Sequence, residues 1–82
     1  MSTFPALRTF RPVATLTKRE LFDEMQLCRQ EAWRFHKAAA DAPGIIRKEV
    51  LAEYIAWAKR TAFHHEDRAV ETEAAFRAFF PA

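Results

Sequence analysis

Apolar and polar positions sort most cleanly between Ile45 and Phe80, a stretch without Gly or Pro. At 100° per residue, Ile46, Val50, Leu51, Tyr54, Ile55, Trp57, Ala58 and Ala62 share one half of a helical wheel, and Ala69, Thr72, Phe76, Phe79 and Phe80 return to it. Glu49, Glu53, Lys59, Arg60, Asp67, Glu71 and Arg77 fill the opposite half. The pattern predicts a long amphipathic helix over about 45–80. Upstream, Leu21, Met25, Cys28, Ala32, Phe35 and Ala39 recur at spacings of four and three, a narrow seam widened on one flank by Phe22, Trp33 and His36. That seam predicts a helix over about 17–40.

The start of the first helix is marked twice. Thr17 and Glu20 have the spacing of a capping box, in which the hydroxyl and the carboxylate each satisfy a backbone N–H, and Leu16 and Leu21 flank it as a hydrophobic staple. Lys18 and Arg19 oppose the positive end of the helix dipole. Asp41-Ala42-Pro43-Gly44 closes the helix as a short turn between antiparallel neighbours. The fold class is therefore all-α, an antiparallel helical hairpin. Residues 17–82 form one helical domain, and residues 1–16 form an extended arm because Pro5 and Pro12 keep their predecessors out of the α region. The arm carries Phe4, Leu7, Phe10, Val13 and Leu16, too many large apolar groups for a solvated tail.

A short turn would set Phe35 level with Val50, Cys28 with Trp57 and Leu21 with His64. The second helix then outruns the first beyond about residue 68, leaving Phe76, Phe79 and Phe80 for the arm to cover in part. A straight helix over 45–80 would span ~54 Å, against ~30 Å for a compact chain of this length. Either that helix breaks near 64–67, giving a three-helix bundle, or another chain covers the excess.

Composition narrows the function. Eighty-two residues with half of them hydrophobic and 13% aromatic suit one small packed domain. A lone cysteine excludes an internal disulfide and points to a reducing, cytoplasmic setting. No apolar run reaches the ~18 residues of a membrane span. The net charge of +2 hides a basic, acid-free start: Arg8, Arg11, Lys18 and Arg19 precede the first acid. Such a start is also the mark of a mitochondrial transit peptide, the alternative localisation, although Pro5 and Pro12 would interrupt the required helix.

The sequence offers little chemistry. No nucleophile–base set, phosphate loop or paired-carboxylate cleft can be assembled, so neither an enzyme nor a cofactor is expected. His64 and His65 point about 100° apart on a helix and are poorly placed to share a metal ion, so no metal is expected; His64 is read as solvated and His65 as a satisfied polar residue in a core or interface. Cys28 reads as a small buried hydrophobe. Two functions remain. The leading one is a non-enzymatic protein–protein interaction module (an inhibitor, adaptor or accessory subunit), with Phe4, Phe10, Trp33, Trp57, Phe76, Phe79 and Phe80 as anchors. Its partner is another protein or a second copy, an isologous dimer placing His65 and Arg68 near their symmetry mates or close to Glu20 and Asp23. The alternative is a nucleic-acid-binding accessory protein using Arg8, Arg11, Lys18 and Arg19, with Phe4 and Phe10 interleaved to stack on bases.

Overall fold

A capped helix, a tight turn and a longer helix account for most of the chain. The computed structural model describes residues 4–80; the first three residues of the expected arm and the last two of the expected helical domain lie outside them. An extended arm leads through a short 3-10 turn at Val13–Thr15 into helix α1, Lys18–Asp41, and a second 3-10 turn at Ala42–Gly44 precedes helix α2, Leu51–Arg77. Among the described residues there is no strand. The two long helices pack antiparallel as a hairpin.

The capping box at the start of α1 is complete. The Thr17 hydroxyl accepts from the Glu20 N–H at 3.1 Å, and the Glu20 carboxylate accepts from the Thr17 N–H at 2.9 Å. These bonds, with help from Arg11, hold the Glu20 carboxyl below its ordinary pKa. The cations that oppose the dipole are each offset locally. Arg19 pairs with Asp23 at 3.3 Å, and the Lys18 ammonium lies 4.1 Å from the Phe80 ring centre.

Helix α2 begins at Leu51, six residues later than the apolar pattern alone indicated. Ile45 and Ile46 are β-branched, and Arg47 and Lys48 would crowd cations into the positive first turn of a helix begun at Ile45. The amides of Ile45 and Ile46 instead bond to the Ala42 carbonyl, at 3.0 and 2.8 Å. Starting at Leu51 puts Glu53 in the first turn and Arg77 in the last, both suited to the dipole. From there α2 runs unbroken through 64–67, so the three-helix alternative does not occur.

The longer connection resets the register. Phe35 stacks on His65 rather than lying level with Val50, and Phe22 packs on Phe76 rather than near His64. Helix α1 consequently runs alongside α2 to its end, and the expected overhang beyond about residue 68 is absent. The molecule is a thin slab of 50 × 24 × 15 Å. Its core is narrow: Leu21, Met25, Cys28, Ala32 and Ala39 from α1 meet Ala58, Ala62 and Ala69 from α2. The small residues let the helices approach closely. Buried Thr61 and Thr72 satisfy their hydroxyls on the carbonyls of Trp57 and Arg68 one turn earlier.

Candidate interaction surface

The arm is fastened to α2 by its own backbone carbonyls. The Trp57 indole N–H donates to the Pro5 carbonyl at 3.0 Å, His64 Nε2–H to the Arg8 carbonyl at 2.6 Å, and Arg68 Nη2 to the Arg11 carbonyl at 2.6 Å. The three acceptors are three residues apart, the repeat of polyproline II, and Pro12 has φ −56° and ψ 138°. Such a segment makes no ladder of its own, so its carbonyls need donors from elsewhere. Aromatic contacts fill the gaps between these bonds. Phe4 stacks on Trp57 with centroids 5.3 Å apart and meets Tyr54 edge-on. Phe10 stacks on His64 at 4.8 Å, and the Arg68 guanidinium lies 5.0 Å from its ring centre. His64 is thus half-buried and bonded rather than solvated. The arm covers α2 from Tyr54 to Arg68, not the Phe76–Phe80 end, because the donors lie there and the register leaves no overhang to fill.

Beneath the arm lies a buried polar cluster. Arg68 is only 4% exposed. It donates to Glu71 at 2.7 Å, to the Arg11 carbonyl, and to Glu24 on α1 at 3.5 Å. Glu24 also accepts from Arg8 at 3.3 Å and from the Cys28 thiol at 3.7 Å. Arm, α1 and α2 therefore meet at one carboxylate. Burial, with the Glu24 charge beside it, pushes the Cys28 thiol up to about 11, which removes it as a nucleophile at neutral pH. His65 lies between the rings of Phe10 and Phe35, and burial lowers its pKa. The buried His65 Nδ1 and Arg68 Nε find no hydrogen-bond partner. Since both residues are covered by their own chain, the isologous contact expected through His65 and Arg68 is not available.

A cleft of about 310 Å³ remains between arm and helices, walled by Leu27, Phe35 and Trp57. Arg8, Glu31 and Thr61 on its wall are engaged with Glu24, Arg34 and the Trp57 carbonyl, whereas His65, which also lines it, keeps its Nδ1 without a partner. Among the described residues no group of three or more His, Cys, Asp or Glu is placed to hold a metal ion. His36 lies 2.7 Å from Glu66, a pair that the shifted register brings together. No helix among the described residues is long and apolar enough to cross a membrane.

The opposite side of the slab is uncovered. Trp33 and Val70 are each 65% exposed and Phe63 is 55% exposed, framed by the cross-helix pairs His36–Glu66 and Arg29–Glu73 at 2.7 and 2.8 Å. Phe63 meets His36 edge-on at 5.1 Å, and Lys37 lies 5.6 Å from the Trp33 ring centre. Phe79 and Phe80 are about half exposed at the end of the slab, while Phe76 packs against Phe22 and Phe80. Of the seven aromatic residues singled out from the sequence, Phe4, Phe10 and Trp57 face one another across the arm; Trp33, Phe79 and Phe80 remain open. Phe63 and Val70 were missed. Both stand outside the main apolar stripe, and an apolar residue off-stripe is the signal that would have found them. The four arm and cap cations are engaged within the chain, Arg8 with Glu24, Arg11 with Glu20 at 3.4 Å, Arg19 with Asp23 and Lys18 with Phe80.

These features define a helical hairpin strapped on one face by an extended arm and left open on the other. No protein-family model, curated protein or solved structure matches the chain.

Two measurements check the buried cluster. Arg68→Ala leaves Glu24 and the Arg11 carbonyl short of a donor and should cost about 3 kcal/mol in urea unfolding, whereas Arg77→Ala, at an exposed position, should change little. His65 gives a pH signature. Its folded pKa lies below the ordinary 6.5, so below that pH the unfolded chain binds a proton that the folded chain resists. Stability should fall as pH drops from about 6.5 toward the depressed folded value. His65→Gln should flatten that part of the curve.

Proposed function

We propose that this chain is a small non-enzymatic interaction module, an inhibitor, adaptor or accessory subunit that acts by binding another protein. The observation that carries the reading is the set of large apolar groups left in water: Trp33, Phe63 and Val70 on the open face and Phe79 with Phe80 at its end. Large, rigid aromatic side chains presented by a helix scaffold are the usual anchors of protein interfaces. A fully buried thiol fits a role without chemistry. A reducing, cytoplasmic setting suits that unpaired thiol. The nucleic-acid alternative gains no support, since the cations it needs are engaged within the chain, Arg8 with Glu24, Arg11 with Glu20, Arg19 with Asp23 and Lys18 over Phe80.

Affinity capture from the native host separates the readings. A defined protein should be retained by the wild-type chain and lost with Phe79→Asp, while Arg8→Gln with Arg11→Gln leaves capture intact. Electrophoretic shift of generic DNA or RNA that weakens steeply with salt and vanishes in the double Arg variant would instead establish nucleic-acid binding.

A further inference from the structure

The slab is only 15 Å in its thinnest direction. That is one layer of helices, and folded domains are built from two or more layers around a shared core. The arm supplies a partial second layer on one side. On the other, Trp33, Val70 and Phe63 are each more than half exposed, and Phe22 continues their stripe at 38%.

The charges on this face select the occupant. Its α1 edge carries the cations Arg29 and Lys37 with His36 beside them; its α2 edge carries Glu66 and Glu73 at the levels of His36 and Arg29, as the two cross-helix pairs show. We infer that the open face binds a second copy of this chain, related by a two-fold axis parallel to the helices. This inference rests on the interaction-module reading and names the partner of one of its surfaces. Rotation about that axis lays α1 of one copy on α2 of the other at equal height. Arg29 then approaches Glu73 of the second copy as well as its own, and His36 approaches a second Glu66. These groups retain exposure for a further partner: the Arg29 side chain is 49% exposed and that of Glu66 52%. Every neighbouring helix pair in the resulting four-helix bundle is antiparallel, the arrangement that suits both packing and helix dipoles.

The remaining cations of the α2 edge fit the same pairing. Arg77 is held by its own Glu73 at 3.3 Å. Lys59 comes level with the C-terminus of α1 in the second copy, where a cation is favoured. A two-fold axis perpendicular to the helices would set α1 on α1 and bring Arg29 against Lys37, a like-charge contact. The parallel axis also places both Phe79–Phe80 ends on the same side of the bundle, free for the heterologous partner.

Light scattering across a concentration series, combined with charge reversal, tests the inference. The wild-type chain should run at twice its 9.5 kDa mass, and Val70→Asp should run as a helical monomer. Arg29→Glu alone and Glu73→Arg alone should each weaken dimerisation about tenfold or more. An equimolar mixture of those two variants should dimerise again, since each then meets its complement across the interface. If Val70→Asp does not fold, the mixing experiment still decides. A wild-type monomer at every concentration overturns the dimer, as does a mixture that fails to recover or a dimer strengthened by Arg29→Glu alone. A monomer that still captures a host protein through Phe79 would remove the dimer and leave the proposed function standing.

Discussion

Once an extended segment leaves water, its backbone carbonyls must find donors, and here α2 supplies them from side chains. Trp57, His64 and Arg68 lie on one stripe of that helix and donate to Pro5, Arg8 and Arg11. Other features depend on this pairing. It brings Phe4 and Phe10 onto aromatic partners, buries Arg68, and draws Glu24 into contact with arm and helix together. A hairpin with so narrow an aliphatic core gains from the arm the burial that two thin helices cannot provide alone.

The same pairing divides the molecule into two unlike faces. On the strapped face, aromatic and charged groups satisfy one another, and an ionic centre sits in low exposure with nearly all its hydrogen bonds made. A buried pair of this kind is worth little in net stability but fixes geometry, since removing one partner strands the other. The opposite face has no such closure. Its ion pairs span the two helices but leave Trp33, Phe63 and Val70 in water. Large exposed apolar groups are therefore concentrated on the face that the arm does not reach.

Much of the fold was legible in the sequence. The capping box at Thr17 and Glu20, the seam of α1 and the absence of strand signals fixed the helical hairpin, because each is a local property of neighbouring residues. The start of α2 was less legible. The apolar phase of 45–50 continues that of the helix, and only the β-branched Ile45 and Ile46 and the unfavourable charges of Arg47 and Lys48 argue against it. That difference shifted the hairpin register, which in turn removed the overhang at Phe76–Phe80 and brought His36 to Glu66. The arm was recognisable as apolar and docked, but its docking site was not. Its apolar residues recur every third position from Phe4 to Leu16, the repeat of a polyproline segment, and its partners on α2 are polar side chains whose role depends on tertiary context. Trp33 was singled out and is open, whereas Trp57 was singled out for the same chemical reason and is occupied by the arm. Residue type alone does not distinguish the two.

The strapped arm is the central claim, and the Trp57 indole reports on it directly. The chain has two tryptophans, so their indole N–H signals are readily resolved by NMR. The Trp57 proton should exchange slowly with solvent, show nuclear Overhauser contacts to Pro5 and Ala6, and be unaffected by protein concentration. A Trp57 indole that exchanges as fast as a free side chain, with no contact to residues 4–12, would contradict the account.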